Sequence, residues 1–159
     1  MKCVPINEEE VYSSWFRHEQ KTRNNVPDAI RWELPRRAGN PSRWCCCLCA
    51  PTDAQEFIVG ENWKDWTEWS KPEGSYACVA LNIKKKTQGD PDRLKIEQLS
   101  RNLLSELVKQ LFIGDPVILK KLPSSKATVI EGHHRITAIC LLLLCNKVPR
   151  PFLAYMADC

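Results

Sequence analysis

Hydrophobic positions in the second half of the chain alternate between strand-like and helix-like patterns. Between Asp92 and Gly114, apolar residues recur at the spacing of a helix, and the glycine predicts its carboxyl end. A second helix is predicted over residues 136–144. The strands predicted around these helices are 76–83, 116–119, 127–130 and 148–156. This order of strand, helix, strand, strand, helix, strand predicts an α/β (α+β) unit with a small mixed sheet.

The first half of the chain has few sustained periodic patterns, and only residues 56–59 give a short strand pattern. Its tryptophans argue against disorder because each buries a large area when packed. We interpret residues 1–74 as an irregular Trp/Pro-rich region packed on a domain formed by residues 75–159. The alternative is an aromatic and basic surface that stacks bases or lines a substrate pocket. All six tryptophans lie here: Trp15, Trp32, Trp44, Trp63, Trp66 and Trp69.

Length and composition are those of one globular domain, or of a small domain with an extension. The chain has 159 residues, 43% of them hydrophobic and 26% charged. A net charge of +4 permits an anionic ligand without requiring nucleic acid. The first ten residues contain three glutamates and no apolar core, and the longest apolar stretch, 138–145, is too short to span a bilayer. We therefore expect a soluble cytoplasmic protein without membrane contact; the oligomeric state stays open.

The nine cysteines are expected to be reduced thiols, because no signal peptide is predicted. Only Cys46 and Cys49 have a spacing typical of metal ligands, and no second pair lies nearby. Cys140 and Cys145 fall in an apolar helical pattern and are expected to be small core residues. Buried or half-buried thiols are thus favoured over a metal site.

Residues 129–138 carry the clearest chemical signal, with the sequence Val-Ile-Glu-Gly-His-His-Arg-Ile-Thr-Ala. Two of the three histidines stand in this turn. A strand–glycine–helix junction directs free backbone N–H groups and the positive end of a helix dipole to one place. The pattern therefore predicts an anion site, for which phosphate is the natural ligand.

Three residues of this turn are predicted to bind the ligand. Gly132 allows close approach of the backbone to a phosphate, and Arg135 offers a planar fork that suits phosphate oxygens. Thr137, in the first turn of the helix, adds a hydroxyl donor.

The remaining polar residues of the turn are candidates for both binding and catalysis. His133 and His134 are expected to contact the phosphate, and either could titrate near neutral pH as an acid or base. Glu131 could hold Mg²⁺ or orient a histidine. The simpler interpretation is that these side chains only fix the start of the helix. Four clustered polar residues, these three and Arg135, favour a functional site.

The predicted element order, together with Ile130-Glu131-Gly132-His133-His134-Arg135, resembles the ParB/sulfiredoxin superfamily over about residues 75–156. Sulfiredoxins carry Gly-Cys-His-Arg here, and His133 in place of the nucleophilic cysteine argues against their chemistry. Chromosome-partition ParB proteins bind CTP through a Gly-Glu-Arg-Arg type motif and carry a downstream helix-turn-helix domain. The chain ends at Cys159, so this function is not expected.

The turn is most similar to the Asp-Gly-His-His-Arg turn of the free serine kinases, with Glu131 in place of the aspartate. This resemblance implies phosphoryl transfer from ATP or ADP to a small hydroxyl compound. The kinase branch also needs a carboxylate base, for which Asp90, Asp92 and Glu73 are candidates; Asp92 is the one assigned to the site. Its simpler role is to cap the following helix.

Three functions follow from this sequence. The first is a phosphotransferase that binds ATP or a related nucleotide on the turn with Mg²⁺ and phosphorylates a small hydroxyl substrate. The second is a ParB-like nuclease or nucleic-acid-binding protein, because related turns also occur in nucleases; the lysines at 84–86 and 120–121 would add positive charge. The third is a non-catalytic interaction module.

Overall fold

The computed structural model describes residues 1–22, 37–60, 64–105, 113–124 and 126–159. These residues form six strands and six helices. The strands are β1 (Lys2–Ile6), β2 (Trp44–Cys49), β3 (Ile58–Val59), β4 (Ile113–Lys121), β5 (Ala127–Glu131) and β6 (Phe152–Ala157). The helices are α1 (Glu8–Thr22), α2 (Asp53–Glu56), α3 (Lys64–Trp69), α4 (Tyr76–Lys85), α5 (Pro91–Ser105) and α6 (His133–Leu144).

All six strands join one mixed sheet in the order β1-β2-β6-β4-β5-β3. Neighbours are antiparallel at β1–β2, β2–β6 and β4–β5 and parallel at β6–β4 and β5–β3. The predicted α/β class with a mixed sheet is therefore confirmed. The strands predicted at 116–119, 127–130 and 148–156 correspond to β4, β5 and β6.

The two faces of the sheet bury different residues, because side chains alternate along each strand. Val117 and Leu119 of β4 lie in the large core that also contains residues of α4, α5 and α6. Ile118, between them, belongs to a second cluster on the opposite face. That second cluster, which we call the α1 cluster, contains Val11 and Trp15 of α1. The sheet thus lies between α1 and the other helices.

The first half of the chain is more regular than its sequence suggests. It contributes β1 and β2 at one edge of the sheet and β3 at the other, so the sheet runs through both predicted units. The expectation of an irregular region is therefore wrong for the described residues. Trp15, Trp44 and Trp66 are each less than a tenth exposed, which confirms that these tryptophans pack. Trp32 and Trp63 lie outside the described residues.

The strand predicted over residues 76–83 is wrong, because these residues belong to helix α4. The Ser75 hydroxyl accepts a hydrogen bond from the backbone N–H of Cys78 at 3.3 Å and caps the helix. The buried residues of α4 follow positions i, i+3, i+4 and i+7, which is the spacing of one helical face. They are Tyr76, Val79, Ala80 and Ile83.

Two predicted helix boundaries also differ from the structure. Gly114 does not end a helix but lies in β4, and the described part of α5 reaches Ser105. The cap of α5 is Asp90 rather than Asp92, since Asp90 Oδ1 accepts from the backbone N–H groups of Asp92 and Arg93 at 3.0 and 3.1 Å. Pro91 then takes the first helical position, where a missing N–H costs nothing.

Two disulfides, Cys3–Cys47 and Cys45–Cys159, fasten the β1 side of the sheet. Cys3 and Cys47 are register partners on β1 and β2, which brings their side chains together. The expectation of nine reduced thiols is therefore wrong for these four residues. Cys140 is buried as predicted, whereas Cys145 is exposed at the end of α6. No helix within the described ranges is long and apolar enough to cross a membrane.

Candidate functional site

The turn between β5 and α6 depends on the backbone of Gly132. This residue caps α6 with φ 94° and ψ 20°, in the left-handed region that favours glycine. A Cβ placed on Gly132 would lie 3.1 Å from Cγ2 of Val117 on the neighbouring strand. Both the dihedral angle and the close approach to β4 therefore require glycine here, whereas the role predicted from the sequence is close approach to a phosphate.

Replacing Gly132 by alanine is expected to destabilise the protein by about 2 kcal/mol, from the strained φ and the crowding against Val117 together. Gly74→Ala isolates the first effect, since Gly74 has φ +71° and open space around its Cα. It should cost about 1 kcal/mol. Gly89→Ala has neither problem and should be nearly neutral. Urea denaturation measures all three. Equal stability of the three variants would contradict this account of the turn.

His133 is a core residue and not an exposed donor. It is 5% exposed, and its ring packs against the rings of both Trp66 and Tyr76 at centroid distances of 5.4 and 6.0 Å. A hydrogen bond joins its Nδ1 to the Tyr76 hydroxyl. Burial lowers the pKa of His133 to about 3, and the positive charges of His134 and Arg37 act in the same direction.

His134 is half-buried beside the same tryptophan, with its ring edge-on to Trp66 at 5.0 Å. Burial lowers its pKa to about 4; the charge of Lys95 adds to this shift, and that of Asp92 opposes it. Both histidines of the turn are therefore neutral near pH 7. The prediction that they titrate near neutral pH is wrong, because burial lowers the pKa of both side chains. The spacing of residues in the sequence does not show which side chains of the turn are buried.

Glu131 forms an ion pair with Arg37, from the segment before β2. The two side chains are 20% and 31% exposed, so the pair is only partly open to solvent. Within the described ranges, no three His, Cys, Asp or Glu side chains are grouped so as to hold a metal ion. A carboxylate that is already paired with a guanidinium fits Mg²⁺ poorly, so Glu131 is not suited to hold the metal.

Thr137 and Asp92 are engaged elsewhere. The Thr137 hydroxyl is buried and donates to the carbonyl of His133 at 2.9 Å, so this donor is used within the helix and not by a ligand. The Asp92 carboxylate accepts from Nζ of Lys86 at 2.9 Å. That same ammonium lies 4.2 Å from the ring centroid of Trp69. Both side chains are thus engaged within the protein, although Asp92 is close enough to His134 for its charge to act on the pKa of that histidine.

Gly132, Glu131 and Arg135 line a cavity of about 340 Å³ between α1 and the sheet, counting the part open to solvent. Ile118 and Tyr155 form its floor on β4 and β6. The turn is therefore divided: its histidines pack into the large core, whereas these three residues face α1. Neither Asp92 nor either histidine of the turn lines this cavity.

Helix α1 supplies the wall that the sequence interpretation missed. Ser14, Trp15 and His18 line the cavity from this helix. Ser14 and His18 are four residues apart and so share one helical face, a signal that was present in the sequence. Because residues 1–74 were expected to be irregular, this helical face was not considered. The pairing of the strands is what brings α1 to the turn.

No known protein family matches this chain, and no characterised protein or solved structure is significantly similar to it.

Proposed function

We propose that the protein binds a phosphate-bearing ligand in the cavity between α1 and the β5–α6 turn. The observation that carries this proposal is that Gly132 and Arg135 line one cavity at the amino end of α6. The end of a helix dipole, its first backbone N–H groups and a guanidinium then face the same space. These groups are suited to phosphate oxygens.

The other charges of the cavity are compatible with an anion. Glu131 would repel a phosphate, but its ion pair with Arg37 balances that charge. His18 and the Tyr155 hydroxyl add polar groups to the lining. The space that the centre of a water-sized atom can reach in this cavity is only about 30 Å³. The cavity therefore has room for a small group such as a phosphate and not for a whole nucleotide.

Phosphoryl transfer from ATP or a related nucleotide to a small hydroxyl substrate is the activity that the resemblance to free serine kinases supports. We also propose that the fold is of the ParB/sulfiredoxin type. Since Asp92 is paired with Lys86 outside the cavity, Glu131 is the better candidate for the carboxylate base. Glu131→Gln should then bind nucleotide and fail to turn it over.

The nucleic-acid alternative receives less support. Three tryptophans that could stack on bases, Trp15, Trp44 and Trp66, are buried in the protein interior. Lys84 and Lys85 lie in the last turn of α4, where basic residues also favour the helix dipole.

Arg135→Ala is expected to weaken phosphate or nucleotide binding by roughly 10- to 100-fold, because one charge-assisted contact is lost. Calorimetric titration with inorganic phosphate, ADP and ATP, each with and without Mg²⁺, measures this effect. Arg101→Ala is the matched control. That arginine is exposed on α5 and bonds to Gln98, so its loss should leave binding unchanged.

Two results would contradict the proposal. Undiminished binding by Arg135→Ala would place the ligand elsewhere. Absence of binding by the wild-type protein across all phosphate ligands, in a preparation with a cooperative unfolding transition, would remove phosphate as the ligand class.

A further inference from the structure

Trp15 carries an indole N–H that has no acceptor among the described residues. Its side chain is 4% exposed and lines the cavity, and its Nε1 is fully buried. A buried N–H donor without an acceptor destabilises the folded protein. Such a group beside a cavity is satisfied when an acceptor atom occupies that cavity.

Trp44 gives the internal comparison. It belongs to the same α1 cluster, is 2% exposed and packs edge-on against Tyr12 at a centroid distance of 6.0 Å. Its Nε1 is likewise buried without an acceptor among the described residues, but Trp44 does not line the cavity. Of these two buried indoles, only that of Trp15 belongs to a residue that lines the cavity.

We propose that Trp15 donates to a phosphate oxygen and makes the cavity selective for a terminal phosphate, a phosphomonoester, over a phosphodiester. This inference rests on the proposed phosphate-binding function and deepens it. Three separate donor groups surround the cavity: the indole of Trp15, the guanidinium of Arg135 and the backbone at the amino end of α6.

A phosphomonoester matches these donors better than a diester does. It presents three terminal oxygens and a charge between −1.5 and −2. A diester has two non-bridging oxygens, so one donor would lose its acceptor, and its esterified oxygen would need room for a second substituent. A site that leaves a buried polar group unpaired discriminates strongly against the mismatched ligand. Internal phosphates of a nucleic acid are diesters, whereas the last phosphate of a nucleotide carries a single substituent and so presents three terminal oxygens, as a monoester does.

The test compares methyl phosphate with dimethyl phosphate as ligands of the full-length protein, by NMR titration. The wild-type protein should bind methyl phosphate at least about tenfold more tightly. Trp15→Phe keeps an aromatic ring and removes the N–H. It should weaken methyl phosphate binding by roughly tenfold and dimethyl phosphate binding much less. Trp44→Phe should leave the ratio of the two affinities unchanged.

A direct readout covers the case in which Trp15→Phe does not fold. In the wild-type protein, the indole N–H resonance of Trp15 should shift downfield and exchange more slowly when methyl phosphate is added. An unmoved resonance, or equal affinities of wild type and Trp15→Phe for methyl phosphate, would overturn the role of Trp15 and leave phosphate binding intact. Failure of both esters and of all nucleotides to bind would overturn the proposed function, and this inference with it.

Discussion

Removing the Cys45–Cys159 disulfide is expected to lower the free energy of unfolding by about 5 kcal/mol in the chain-entropy model. This disulfide joins β2 to the chain after β6 and closes a loop with a sequence separation of 114 residues. Cys3–Cys47 closes a shorter loop, with a separation of 44, and should contribute about 4 kcal/mol in the same model. Domains are stable by about 5–15 kcal/mol, so loss of both bonds should leave little stability.

Two paired variants measure these contributions separately: Cys45→Ala with Cys159→Ala, and Cys3→Ala with Cys47→Ala. The first pair should lower the urea midpoint more than the second. Cys145→Ala is the control, because that thiol is free and exposed. Mass spectrometry after alkylation in denaturant should find five labelled cysteines before reduction and nine after it. Nine labelled residues without reductant would show that neither bond forms.

The disulfides also bear on where the protein works. Such bonds persist in oxidising compartments and are rare in the cytoplasm. The sequence predicts a cytoplasmic location, and the two disulfides argue against it. Alkylation of the protein directly in lysed cells, before any reductant is added, decides between the two environments.

The elements around the turn could be predicted from sequence because their signals are local. The apolar runs at β4 and β5 and the apolar helix α6 are short-range patterns, and Gly132 marks the junction between them. Residues 76–83 were misassigned although the helical signal was present. The buried residues repeat at helical spacing after Ser75, but aromatic and β-branched residues such as Tyr76, Val79 and Ile83 also suit a strand.

The cavity could not be predicted, because it depends on contacts between distant parts of the chain. The pairing of β2 with β6 and of β6 with β4 places the amino-terminal half against the β5–α6 turn. Only then do Trp15 and His18 meet Arg135. Sequence gives the residue types of the turn but not the face on which each lies. His133 and Arg135 are two positions apart and point to opposite sides of the sheet.

Histidine burial leads to the second large effect, a loss of stability in mild acid. His133 has a pKa of about 3 in the folded protein and an ordinary value of 6.5 when unfolded. Between these values the unfolded chain binds the extra proton, so stability rises with pH and falls as the pH drops from 6.5. The full effect for His133 is on the order of 5 kcal/mol. His134, with a pKa of about 4, adds a smaller loss in the same direction.

The charged and titratable groups around the two histidines do not reverse this sign. Arg37 acts on His133 and Lys95 on His134, and both positive charges disfavour protonation. Asp92 opposes the shift of His134, yet the pKa stays low because burial dominates. The pKa of Tyr76 is itself raised by burial, so its hydroxyl remains neutral across this range.

Urea denaturation at pH 7, 6 and 5 tests the effect above the range where most carboxylates titrate. The wild-type protein should lose about 2 kcal/mol through His133 alone between pH 7 and 5. The double variant His133→Phe with Tyr76→Phe keeps the aromatic stack on Trp66 and leaves no hydroxyl without its partner, so its stability should depend less on pH. Tyr76→Phe alone retains the titrating ring and should keep the wild-type slope. Identical slopes for the double and single variants would mean that His133 is not a buried neutral imidazole, because only a histidine that must remain uncharged in the folded state links folding to proton release here.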